Sequence, residues 1–209
     1  MKETYALSWT EKNTMHDEEA VTDPVEIEPW SQRLHDGSAN RVFAAKQLMR
    51  QHEVIERTAD YIIFRTGEAE GWILLYDMRS QEIGYAVGYR TCRWPWMNRP
   101  VTQCIVWRYP ATCHVLAMTR RIFFGYLPQS FGTIMSDSRD EPSGYDFWVA
   151  RMSAAIGLNL RVGVADMNVP ALDWFDPAGN LCFEAWIRQR NGYGPTRNQQ
   201  AIRYLISAL

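Results

Sequence analysis

The acidic stretch 136–141 contains Asp137, the carboxylate of this chain that is best placed to do chemistry. It follows the short apolar run 131–135, a predicted strand, and α/β sheets bind ligands outside the carboxyl ends of their strands. A carboxylate there could act as a general base or as a metal ligand. The same Asp and Ser residues also suit a turn that caps the following helix. The sequence leaves both interpretations open.

A second cluster places arginines among large aromatic rings in one predicted loop. Its members are Arg90, Arg93, Trp94, Trp96 and Arg99. Guanidinium groups bind phosphates and aromatic rings stack on bases, so the cluster predicts a surface for nucleic acid or for a protein partner. Alternatively, these rings and arginines pack over the open end of a sheet. A sequence pI of about 6.1 argues against strong nonspecific binding to DNA.

Nucleophilic and metal-binding patterns are weak. Cys113 and His114 are adjacent, but neighbouring side chains on one helix point about 100° apart and do not form a direct dyad. No CxxC pair occurs among Cys92, Cys104, Cys113 and Cys182, and His16, His35 and His52 have no metal-site spacing. We therefore expect reduced thiols and no metal.

The elements that must position these residues begin with a helix and a meander. The turn at 36–38 and apolar residues near helical spacing predict a first helix over 39–56. Four segments rich in aromatic and β-branched residues then predict an antiparallel meander. These segments are 61–65, 72–77, 82–89 and 102–109.

After Pro110 the pattern alternates between helix and strand. Helices are predicted over 115–126 and 143–156 and strands over 131–135 and 159–165, and a polar, aromatic segment from Phe183 leads to a closing helix over 199–209. An antiparallel meander followed by strand, helix, strand, helix and strand predicts an α/β (α+β) fold with a mixed central sheet and helices on its faces.

Composition predicts one folded domain behind an acidic lead-in. Of the 209 residues, 46% are hydrophobic and 22% charged, as in globular proteins. Residues 1–36 contain nine acids and three bases, whereas 37–209 is mildly basic and arginine-rich. We interpret 1–36 as an extended lead-in and 37–209 as a single domain.

Because no apolar run of about 18 residues and no apolar signal core follow Met1, we predict a cytoplasmic protein without a membrane span.

The order of elements over residues 39–166 resembles that of the GNAT acyltransferases. This resemblance implies acyl-CoA, such as acetyl-CoA, beside the strand that precedes the central helix, with its pyrophosphate on backbone N–H groups where that helix begins. By position, Arg108 ends this strand, and the helix start contains Thr112, Cys113 and His114. The resemblance therefore makes these four residues the candidates for cofactor binding.

Two positions depart from the family's pattern. Pro110, Ala111 and Thr112 replace the glycine-rich spacing that usually brings the backbone close to phosphate. Ser153 stands where the family often has the tyrosine that protonates the leaving thiolate. Tyr145 lies on the same predicted helix about two turns earlier, too far to take that role by simple slippage, and is kept as a separate catalytic candidate.

Two function classes follow from these observations. The first is an acyl-CoA-dependent N-acyltransferase of unknown amine acceptor, with Arg108 and residues 112–114 holding the cofactor, Asp137 as base and Tyr145 as acid. The second is a non-catalytic interaction protein with a GNAT-like fold that binds a protein or nucleic acid through its arginine and tryptophan surface.

Overall fold

A nine-stranded sheet organises the part of the chain that this computed structural model describes: residues 34, 36–93, 99–108, 115–136, 142–166, 171–179, 182–190 and 202–208. The strands are β1 (His52–Arg57), β2 (Tyr61–Thr66), β3 (Glu70–Asp77), β4 (Glu82–Cys92), β5 (Val101–Arg108), β6 (Thr133–Ser136), β7 (Arg161–Asp166), β8 (Ala171–Trp174) and β9 (Ile202–Ser207). The helices are α1 (Gly37–Leu48), α2 (Val115–Arg120), α3 (Leu127–Phe131), α4 (Pro142–Ile156) and α5 (Phe183–Arg190), with a π-helix (Arg121–Tyr126) between α2 and α3.

The sheet is mixed, with strand order β1-β2-β3-β4-β5-β6-β9-β7-β8. Strands β5 and β6 pair in parallel, and the other described pairs are antiparallel. The meander predicted for the first half is confirmed as β2 to β5. The α/β fold class predicted from the order of elements is therefore confirmed.

Helices cover both faces of the sheet. On one face, α2, the π-helix, α4 and α5 contribute Met118, Phe123, Trp148 and Trp186 to the larger core. On the other face, Ala44 of α1 packs in a core with side chains of β2 and β3. Apolar side chains on both faces of a sheet must be buried against a second layer, and this explains the helices on each side.

The first helix is shorter than predicted, because His52–Arg57 forms strand β1 instead of its last turns. This segment contains the β-branched pair Val54 and Ile55 and gains hydrogen bonds by pairing with β2. Of the apolar residues that predicted this helix, Phe43 and Leu48 pack against the core, whereas Val42 is 56% exposed. The fully buried residues of α1 are Asn40, Ala44 and Gln47.

The predicted closing helix at 199–209 was wrong in type, because Ile202–Ser207 forms strand β9. This strand lies between β6 and β7 and is antiparallel to both. A central strand is buried on both faces, so it shows a nearly continuous apolar run instead of alternation. Because a continuous apolar run has neither the strand nor the helix periodicity, the sequence does not distinguish a buried strand from a buried helix.

The helix predicted over 115–126 contains a change of helix type. It starts as α2, becomes a π-helix at Arg121, and continues as α3 to Phe131. The backbone N–H of Leu127 donates to the carbonyl of Ile122, five residues earlier, which is the π spacing. Pro128 follows directly and has no N–H to continue an α-helical ladder. The proline therefore gives a local reason for the irregular helix.

Candidate functional site

The parallel strands β5 and β6 end at different levels. Their described pairs are Thr102 with Ile134, Gln103 with Met135, and Cys104 with Ser136. Residues 105–108 continue β5 beyond the last described pair with β6 and pair with β4. Because β5 and β6 are parallel, their carboxyl ends lie on the same side of the sheet, where α/β sheets bind ligands.

The end of β6 is fixed by a side-chain hydrogen bond. The buried Ser136 hydroxyl accepts a hydrogen bond of 2.9 Å from the backbone N–H of Tyr204 in β9. The Tyr204 ring contacts the ring of Tyr145, with ring centroids 6.0 Å apart. This contact places Tyr145, on the first turns of α4, beside β9, the strand that pairs with β6.

Tyr145 and Ser153, the two positions considered for the acid, have different environments on α4. Tyr145 is half-buried and packs against the larger core. Ser153 is exposed. Of these two residues, Tyr145 is the one that the helix brings to the sheet, close to the carboxyl end of the parallel pair.

Several predicted site residues lie outside the described part of the chain. These are Asp137, Thr112, Cys113, His114, Trp94 and Trp96. Arg108 is described as the last residue of β5, where it pairs with Tyr85. The roles predicted for all of these residues remain predictions.

The arginine cluster lies at the opposite end of β5 from Arg108. Arg90 is paired with Glu70 at 3.2 Å, whereas Arg93 and Arg99 are exposed in the connection between β4 and β5. Strand β5 has 8 residues. At about 3.3 Å per residue, its two ends are about 25 Å apart. The two candidate surfaces are therefore separate and can be tested independently.

The resolved pKa shifts belong to groups with structural hydrogen bonds. Burial raises the pKa of Tyr89, whose hydroxyl donates to the carbonyls of Thr66 and Gly67 at the β2–β3 turn. Burial also raises the pKa of Tyr126. Hydrogen bonds from Ser38 lower the pKa of Asp36, the residue that caps the start of α1. Of these groups, Tyr89 bonds the β2–β3 turn and Asp36 caps a helix start.

Ser136 and Tyr204 are the site residues that were not identified from the sequence. Ser136 was considered only as part of a turn, and Tyr204 lay inside the predicted closing helix. The β-branched residues Ile202 and Ile206 on either side of Tyr204 favour a strand and were the available signal.

Across the described ranges, no three His, Cys, Asp or Glu side chains are arranged so that they could hold a metal ion. No helix among the same residues is long and apolar enough to cross a membrane.

The fold and the site together define a protein with a mixed α/β sheet in which β5 and β6 are the described parallel pair. No protein-family model matches the chain, and no curated protein matches it.

Proposed function

We propose that this protein is an acyl-CoA-dependent N-acyltransferase that acts on an amine. The observation that carries the proposal is the parallel pairing of β5 and β6, because their carboxyl ends lie on the side of the sheet at which α/β sheets bind ligands. The order of elements, which resembles that of the GNAT acyltransferases, supports the same function.

The chemistry of acyl-CoA suits this end of the sheet. Its pantetheine arm is an extended chain with amide groups, which can hydrogen-bond to the backbone of a strand. Arg108 ends the same strand and would bind a phosphate group. The thioester supplies the activated acyl group.

The residues of this chain would then move two protons. Asp137 would take a proton from the attacking amine, so that its nitrogen can form the new bond to the acyl carbon. The bond between this carbon and sulfur breaks, and the Tyr145 hydroxyl would donate a proton to the leaving sulfur. Contact with the buried Tyr204 ring holds the Tyr145 side chain against the sheet.

Titration calorimetry with acetyl-CoA tests the proposal. We expect binding at micromolar strength, roughly 8 kcal/mol, that is weakened at least tenfold in Arg108→Ala because a phosphate contact is lost. Arg99→Ala is the matched control, because it removes an exposed arginine at the other end of β5. Absence of heat and of thermal stabilisation at millimolar acetyl-CoA would refute the proposal.

The alternative is a non-catalytic protein that binds nucleic acid or a protein partner through its arginine and tryptophan surface. The exposure of both Arg93 and Arg99 in one connection favours it. Under this alternative, Arg93→Ala and Arg99→Ala weaken partner binding, and Arg108→Ala has no effect. The same three variants therefore distinguish the two functions.

A further inference from the structure

The helix that follows β5 is fastened to the sheet by two separate links. In the inner link, the Thr119 hydroxyl donates to the Tyr85 hydroxyl at 3.3 Å, and both side chains are buried. In the outer link, Nη1 of Arg121 donates to the Tyr61 hydroxyl at 2.7 Å and also binds Oε1 of Glu56. The first link joins α2 to β4, and the second joins the start of the π-helix to β1 and β2.

The three groups of the outer link form a hydrogen-bonded triangle, because the Tyr61 hydroxyl also donates to Oε1 of Glu56 at 2.8 Å. The π-helix, β1 and β2 are therefore joined by one group from each. The Arg121 side chain is 51% exposed, so water and salt screen its ion pair with Glu56. We expect this outer link to contribute less than the buried inner link.

The two links lie on different sides of the helix. Thr119 and Arg121 are two residues apart, and side chains at this spacing point about 200° apart around a helix axis. A single link would let the helix roll about its axis, whereas two links on nearly opposite sides resist that motion. The links therefore define how the helix is oriented on the sheet.

Their position relates them to the end of β5. Tyr85, the sheet partner in the inner link, pairs directly with Arg108. The outer link lies where α2 becomes the π-helix, and π-helical turns frequently occur at functional sites. The helix is thus held at the level of Arg108, the last residue of β5.

We propose that Thr119 and Arg121, through Tyr85, Tyr61 and Glu56, form a clamp that positions the helix after β5 for acyl-CoA binding. This inference rests on the proposed function and deepens it. Thr119 and Arg121 are positioning residues, since they act through the placement of the helix.

The test compares acetyl-CoA binding by calorimetry in Thr119→Val, Arg121→Gln and wild type. Loss of the inner hydroxyl should weaken binding about tenfold, and loss of the exposed arginine about threefold. Turnover at saturating acetyl-CoA should not change, because neither residue touches the reacting atoms. Thr119→Ser should restore wild-type affinity, since it keeps the hydroxyl.

Two matched controls separate this role from general stability. Thr133→Val also removes a buried threonine hydroxyl, one bonded at 2.8 Å to Ser207. Arg41→Gln removes an ion pair of similar exposure, that with Glu82 between α1 and β4. Both controls should bind acetyl-CoA as wild type does.

Each outcome is decisive. Weaker binding in Thr119→Val and Arg121→Gln, with unchanged controls, supports the clamp. If wild type binds acetyl-CoA and the clamp variants bind it as tightly as the controls do, the clamp is refuted and the proposed function stands. If wild type does not bind acetyl-CoA, the proposed function fails and the clamp fails with it.

Discussion

The Ser136 hydroxyl accepts a hydrogen bond from the backbone N–H of Tyr204 at 2.9 Å. The described backbone pairing of β6 with β9 ends one position earlier, at Met135 and Leu205. A side chain thus replaces the next bond of the ladder at the point where β6 ends. This bond ties the end of β6 to β9.

Replacing Ser136 by alanine should therefore destabilise the protein. The variant leaves the buried N–H of Tyr204 without its hydrogen-bond acceptor, which costs about 1–3 kcal/mol. Urea unfolding measures this change. Ser153→Ala is the control, because Ser153 is exposed on α4 and should change stability by less than about 0.5 kcal/mol. Equal stabilities of the two variants would contradict the role given to Ser136.

Asn40→Ala should be among the most destabilising substitutions in α1. The Asn40 side-chain amide donates to the carbonyls of Leu34 and Ile83 and accepts from the Ile83 N–H at 2.6 Å. Removing it leaves buried backbone groups unsatisfied, at a cost of about 3 kcal/mol. Val42→Ala, at an exposed position of the same helix, should have little effect on the urea midpoint. A small effect of Asn40→Ala would show that α1 is held by its apolar contacts.

Stability should fall at alkaline pH. Burial raises the pKa of Tyr89, and burial and a hydrogen bond to Glu56 raise the pKa of Tyr61. Above pH of about 10 the unfolded chain loses tyrosine protons that the native state keeps, so the free energy of unfolding decreases as the pH rises. Below that pH this contribution to stability is fully present.

Urea midpoints measured from pH 8 to 11.5 test this dependence. The midpoint should be flat below about pH 10 and should then decline. Tyr89→Phe should lower stability at every pH, because two hydrogen bonds are lost, and should make the alkaline decline shallower. A decline that is equally steep in this variant would rule out Tyr89 as its source.

Tyr145→Phe tests the proposed acid. The variant keeps the ring contact with Tyr204 and removes the hydroxyl. Once an amine acceptor has been identified by thiol release, kcat should fall about 100-fold with little change in KM. Tyr76→Phe, on the α1 face of the sheet, is the control and should keep full activity. Unchanged kcat in Tyr145→Phe would assign the proton to water or to another residue.

The sequence predicted those parts of the fold that depend on local pattern. The strands β2 to β5 are rich in β-branched and aromatic residues, and the predicted bounds of α4 differ from the observed ones by one residue. By contrast, β9 is buried by its neighbours on both sides, and its contacts come from distant parts of the chain. Local pattern cannot reveal such pairing.

The candidate site was less predictable than the fold. Tyr145 was identified from its helix, but its contact with Tyr204 joins residues 59 positions apart and depends on where β9 lies. Asn40 is a polar residue on a predicted helix, and nothing local indicates that it is buried against Ile83. Both contacts arise from the packing of whole elements, which propensity does not encode.

Hydrogen exchange of the backbone amides of β5, with and without acetyl-CoA, tests the central claim most directly. We expect acetyl-CoA to slow amide exchange at residues 105–108, at the carboxyl end of β5, and to leave residues 101–104 unchanged. Exchange that does not change anywhere in β5 at saturating acetyl-CoA, or protection confined to Arg93 and Arg99, would contradict it.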